Sequence, residues 1–173
     1  MSSHSLFWPL NIVGGIAVLG SYLLGFVNHR SEMAGMWGGV ESSWRPIYGI
    51  SMLAAAFGYL AMVSYVQRNG SQFSKGTWIA IYVSLLMILL PSALWMSTTL
   101  LYIANPSATG WLMVKLVLLM VAAGGLALLA TIWRSSTAVS GGSLWAVVGL
   151  LLFAFHTTVL DGIIWTAKFP QLH

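Results

Sequence analysis

The chain has 173 residues, 58% of them hydrophobic and only 6% charged, with a net charge of +4. Soluble domains carry about 25% charged residues, so this composition cannot cover a water-facing surface. The seven basic residues are scattered along an apolar chain and make no patch for nucleic acid. The absence of cysteine excludes disulfides, thiolate catalysis and cysteine-held zinc or iron–sulfur centres.

A helix crossing the hydrocarbon core needs about 20 mostly apolar residues, and five segments meet that requirement. The first runs over about 7–28. It lacks a basic leading region and an Ala-x-Ala cleavage site, so it reads as a retained membrane helix rather than a signal peptide. Gly14, Gly15, Gly20 and Gly25 mark it as a packing helix. A long loop follows, HRSEMAGMWGGVESSWRP, from His29 to Pro46. Its Trp37 and Trp44 suit either anchors on the bilayer surface or a lid folded over a flat ligand. Gly35, Gly38 and Gly39 would give that lid its turns.

The second segment covers about 47–66, opened by Pro46 where a missing N–H costs nothing. Ala54 and Gly58 form a small-xxx-small pair on it. A polar connection, Gln67–Gly76, leads to the third segment, about 77–104, with Pro91 near its middle and Trp95 four residues later. Pro91 removes a backbone hydrogen bond and predicts a kink, beside which Trp95 is either core packing or a cavity wall. The fourth segment, about 111–133, follows Asn105–Gly110 and carries Lys115 one turn from its start, with Ala123 and Ala127 as a second small pair. A Ser- and Gly-rich connection, Arg134–Gly142, precedes the fifth segment, about 143–166. The expectation is an all-α, polytopic five-helix bundle forming one transmembrane domain over 1–173.

Five crossings place the termini on opposite faces. With the N-terminal face named side A, all three acidic residues, Glu32, Glu41 and Asp161, fall toward side B. His29, Arg30, Arg45 and Lys115 join them there, as do Trp37, Trp44, Trp111 and Trp165. Side A, free of acidic residues, is the weakly favoured cytoplasmic face. Trp8, Trp78, Trp111, Trp133, Trp145 and Trp165 stand near helix ends, as interfacial tryptophans do.

Lys115 and Asp161 lie at similar depth on consecutive helices, which predicts a salt bridge, a snorkelling lysine or a charged pair at a cavity mouth. His156 sits nearer the middle of the fifth helix, and at α-helical pitch it points about 140° away from Asp161. It reads as a histidine bonded to a neighbouring helix or as an axial ligand to a haem-like iron. A built-in bis-histidine haem lacks its second ligand, because His4, His29 and His173 are terminal or at a helix end. The sequence contains no HExxH, no G-x-S-x-G and no Walker loop.

The layout resembles the TspO/translocator protein family of tryptophan-rich sensory proteins. Trp37 and then Ser43-Trp44-Arg45-Pro46 look similar to that family's first loop and its Trp-x-Pro-Pro entry to the second helix. Ser92-Ala93-Leu94-Trp95-Met96-Ser97 looks like a degraded form of its third-helix Asn-x-x-Trp-Ser pattern, and Leu160-Asp161 with Trp165 stands where its last helix ends near Leu-Asn and Trp. The second proline is replaced by Ile47, the helix-three Asn is missing and the loop is shorter. The resemblance implies a bundle that binds a tetrapyrrole, a sterol or a similar flat hydrophobic molecule, non-covalently, under the first loop. Trp37, Trp44, Trp95 and Trp165 would then be walls, and Arg45, Lys115, His156 and Asp161 the polar contacts. Two other roles stay open: an accessory subunit of a larger membrane complex or a homodimer, and an enzyme acting on a lipid or pigment through His156 and Asp161.

Overall fold

The computed structural model describes residues 5–136 and 143–170. His4, His173 and residues 137–142 of the Arg134–Gly142 connection lie outside the described residues. Helix α1 spans Phe7–Asn28, α2 Arg45–Asn69, α3 Lys75–Ala104 and α4 Ala108–Ser136. Helix α5 starts at Ser143, is α-helical to Phe155, continues as a π-helix over His156–Trp165 and closes with an α-helical turn, α6, Thr166–Lys168. Each of the five is long and apolar enough to span a bilayer. The protein is therefore a multi-pass integral membrane protein, its backbone polar groups satisfied within helices as hydrocarbon demands.

The helices outrun the apolar segments because polar residues cap them. Ser74 accepts a hydrogen bond from the Thr77 amide at 3.1 Å, and Ser107 one from the Gly110 amide at 3.0 Å. Both satisfy orphan donors at a helix start. Pro46 occupies the first turn of α2, where it needs no donor.

Helix α1 packs on α3, α3 on α4, α4 on α5 and its π-helical continuation, and α5 on α2. Among the described residues α1 has no extensive contact with α2, so the ring of helices keeps a seam there. Toward side A the seam is bridged by Tyr59 Oη–H donating to Asn11 Oδ1 at 2.6 Å. A hollow of about 250 Å³ lies near that end, lined by Phe7, Trp8, Val66, Gln67, Ser71 and Trp78. Among the described residues three clusters fill the bundle, the smallest made by Met36, Met96 and Leu100. The side-A core is largely aliphatic and includes Met62, Val66, Ile81, Leu85, Leu128 and Leu150. The side-B core is aromatic, with Tyr48, Tyr102, Trp111, Trp165 and Phe169.

Glycines set the closest approaches. A Cβ on Gly58 would be driven onto the Gly149 carbonyl, so α2 and α5 cross backbone to backbone. On α4 the expected Ala123–Ala127 pair is not the contact, since Ala127 is exposed. Gly124 takes that role against α3, where a Cβ would stand 2.8 Å from Met87 Cβ, and Gly125 does so against Phe153. Helix α3 runs unbroken through buried Pro91, with Gly124 admitting α4 close to the preceding turn.

The tryptophans divide in a way their positions alone do not show. Trp8, Trp133 and Trp145 face outward as a belt, Trp145 being 72% exposed. Trp78, Trp111 and Trp165 are core residues, Trp165 only 4% exposed. A helix-end position fixes depth in the bilayer; the direction of the side chain depends on which neighbour the helix packs against.

Candidate functional site

The His29–Trp44 loop is seated on the end of α5. Trp165 Nε1–H donates to the Met36 carbonyl at 3.0 Å, and the Gly39 amide donates to the Lys168 carbonyl at 3.1 Å. Gly38 adopts φ +54°, and a Cβ there would meet the Phe169 ring. Phe169 stacks on Trp111 with centroids 5.4 Å apart. Lys168 and Glu41 approach to 3.8 Å at the surface. Aromatic side chains thus occupy the space beneath the loop. Trp37 packs edge-on against Tyr48 and carries the Arg45 guanidinium over its face at 5.4 Å. Arg45 also donates to the Val40 carbonyl at 3.4 Å. Trp44 projects outward and is exposed.

Lys115 and Asp161 do not pair. Lys115 faces outward on α4, with its ammonium over the Trp111 ring at 5.8 Å. Asp161 turns to His156 instead. His156 Nε2 lies 3.4 Å from Asp161 Oδ2, and His156 Nδ1 lies 3.1 Å from Ser51 Oγ on α2. The expectation that His156 points away from Asp161 is corrected by the π-helix. Hydrogen bonding from i to i+5 winds a wider turn, so residues five apart come onto one face.

The sequence of this stretch favours the wider turn. Gly162 has no Cβ to press on the Thr157 carbonyl, which would stand 3.1 Å from it. Hydroxyls take up backbone carbonyls in and beside the turn: Tyr48 Oη–H donates to Leu160 O at 2.9 Å, Thr157 to Phe153 O at 3.0 Å and Thr166 to Gly162 O at 2.6 Å. Such side-chain partners are how membrane helices tolerate departures from the α form.

The three polar groups form a directed chain. The direction of the Ser51–His156 bond follows the imidazole tautomer: with Asp161 ionised, and so only accepting, the imidazole proton sits on Nε2. Nδ1 is then the acceptor, and the Ser51 hydroxyl donates to it. His156 is buried, while 28% of the Asp161 side chain is accessible and Ser51 is half-buried. Asp161 is also within electrostatic reach of Tyr22 on α1 and Tyr48 on α2, so it stands at the seam between those helices. Ser51 is six residues into α2, about 9 Å from its side-B end at 1.5 Å per residue.

Aromatic groups flank the cluster. Tyr22 meets Trp95 edge-on at 5.9 Å, and Trp95 meets Trp165 at 5.9 Å. Trp95 Nε1–H, Thr99 Oγ1 and Thr158 Oγ1 are buried without a hydrogen-bond partner among the described residues. Sequence reasoning named Trp95, His156, Asp161 and Trp165 for this region and missed Ser51, Tyr22 and Tyr48. The available signal was weak: Ser51 is one of several hydroxyls, with Tyr48, Tyr59, Ser64 and Tyr65, in the same apolar segment. No group of three or more His, Asp or Glu side chains able to hold a metal ion occurs among the described residues. The chain matches no protein-family model, no curated protein and no solved structure.

Proposed function

We propose that this protein binds a flat, neutral, lipid-soluble molecule that enters sideways through the α1–α2 seam in the side-B leaflet. Its hydroxyl end would rest on Ser51, His156 and Asp161, and its ring system against Trp95 and Tyr22. The observation carrying this reading is the His156 imidazole held between Ser51 and a carboxylate that is still accessible. Ionisable groups inside a membrane are costly and mark ligand or ion paths. In the tautomer with Asp161 ionised, Ser51 Oγ turns its proton to His156, so Ser51 and Asp161 both present lone pairs and the matching ligand is a donor. A hydroxylated sterol-like molecule meets that requirement. A tetrapyrrole would bring anionic propionates beside Asp161, while Lys115 and Arg45 are turned to Trp111 and Trp37. The resemblance to the TspO/translocator family supports a ligand-binding role through layout alone: five apolar helices and tryptophan-rich clusters.

The test is energy transfer from tryptophan to a fluorescent sterol, with the protein in nanodiscs. Asp161→Asn is expected to weaken binding about tenfold or more, since hydrogen bonds to charged groups are worth ~1.5–3 kcal/mol. A sterol whose hydroxyl is methylated is expected to bind as weakly. Equal transfer in all three cases overturns the reading. Protoporphyrin quenching that is lost in Trp44→Ala would move the site to the first loop. An accessory-subunit role draws on one further observation, that α1 buries little of its surface inside this chain. It predicts co-purification with a membrane partner that substitutions on the outer face of α1 release.

A further inference from the structure

The direction of the Ser51–His156–Asp161 chain has a chemical consequence. A hydroxyl that donates to a neutral imidazole nitrogen leaves its oxygen lone pairs free and has a base in place for its proton. The far nitrogen of that imidazole contacts a carboxylate able to stabilise the imidazolium that forms. This is the nucleophile, base and orienting group of acyl transfer, which is recognised by geometry and roles and not by position in the sequence. The distances are 3.1 Å from Ser51 Oγ to His156 Nδ1 and 3.4 Å from His156 Nε2 to Asp161 Oδ2. Two further facts agree. Ser51 lies about 9 Å along α2 from its side-B end, in the half of the bundle that carries the acidic residues. The Trp95 indole N–H, on a helix that lines the same half of the bundle, is a buried donor without a partner.

Resting on the lateral binding reading above, we infer that Ser51 is a nucleophile toward the ester carbonyl of an acyl lipid that carries a free hydroxyl as its donor, with His156 as its base and Asp161 positioning His156. Ser51 Oγ adds to the carbonyl carbon while its proton passes to His156 Nδ1. The ester C–O bond breaks, and His156 returns that proton to the departing alkoxide, releasing an alcohol and leaving an acyl-serine. A water molecule then gives a proton to His156 Nδ1 and adds to the same carbon. The carbon–Oγ bond breaks, Ser51 takes the proton back, and a fatty acid leaves.

An alkyl fluorophosphonate tests this on the full chain in nanodiscs, with the modified residue located by mass spectrometry. The expected result is labelling at Ser51 that slows by roughly 10²-fold or more in His156→Gln, the usual worth of a positioned base. Asp161→Asn is expected to slow labelling and Asp161→Glu to recover part of it, a rescue that lost packing would not produce. Circular dichroism and melting of each variant establish that it is folded. Absence of label at Ser51 in the wild type, or an unchanged rate in folded His156→Gln, overturns the inference. Sterol transfer is measured on the same samples. Transfer that depends on Asp161 without Ser51 labelling leaves the binding reading standing and removes the acyl chemistry. Loss of both removes both.

Discussion

At the level of single residues, one atom decides between contact and separation. Gly58 and Gly149 share a crossing that leaves no room for a methyl group, whereas nothing lies within 4 Å of the position a Cβ would take on Gly15. Gly58→Ala should therefore destabilise the protein by about 1–3 kcal/mol through overpacking against a backbone. Gly15→Ala should be neutral or gain up to ~1 kcal/mol from helix propensity. Thermal unfolding in one detergent separates them, and equal melting temperatures would refute this account of the α2–α5 contact. The small-residue spacing drew attention to Gly58 from the sequence, but its partner Gly149 and the roles of Gly124 and Gly125 were not legible there. Any glycine in an apolar helix is equally available for packing until the neighbouring helix is known. Ser51 was unreadable for a related reason: a hydroxyl in a membrane helix usually bonds its own backbone, and only the facing His156 gives it another partner.

At the level of elements, the π-helix is the feature that most alters the reading of the site. Ten residues, His156–Trp165, are wound with i to i+5 bonds, and that winding places His156 beside Asp161. π-helical turns are rare and recur at functional sites, so their persistence here fits a stretch shaped for His156 and Asp161. The wider turn is held by hydroxyls of Thr166, Thr157 and Tyr48 and by the bare Cα of Gly162. Hydrogen–deuterium exchange in nanodiscs should show amides of His156–Trp165 exchanging faster than those of Ser143–Phe155 on the same helix, since local opening is easiest where the ladder departs from the α form. Uniform protection along the whole fifth helix would contradict that. The threonines and Gly162 were visible in the sequence. Their combined effect on pitch was not, because each is also common in ordinary membrane helices.

At the level of the whole molecule, five crossings put the first loop, the α3–α4 connection and the end of α5 on one face. The chain has no cysteine, so single cysteines report topology against a clean background. Ser31→Cys and Ser107→Cys, both exposed in connections, should react with an impermeant maleimide from one side of sealed vesicles. Ser71→Cys, exposed between α2 and α3, should react from the other. Finding Ser31 and Ser107 on opposite faces would dismantle both the bundle and the site. The clustering of polar residues toward side B followed from span count and residue type and holds in the structure. The Lys115–Asp161 partnership inferred from equal depth does not hold, because depth along a helix says nothing about rotation around it.

The sequence by itself determined the solvent, the number of helices and the depth of each residue. These depend on apolar run length and on the obligation to satisfy backbone hydrogen bonds inside lipid, both of which are local. Only the tertiary structure decided which side chains meet: tryptophan as belt or as core, Lys115 turned out to lipid, His156 drawn between Ser51 and Asp161. In a chain that is apolar on every face, the hydrophobic pattern no longer marks which side of a helix turns inward. Rotation is then set by glycine contacts, aromatic packing and one change of helical pitch, and those become visible only when the helices are assembled.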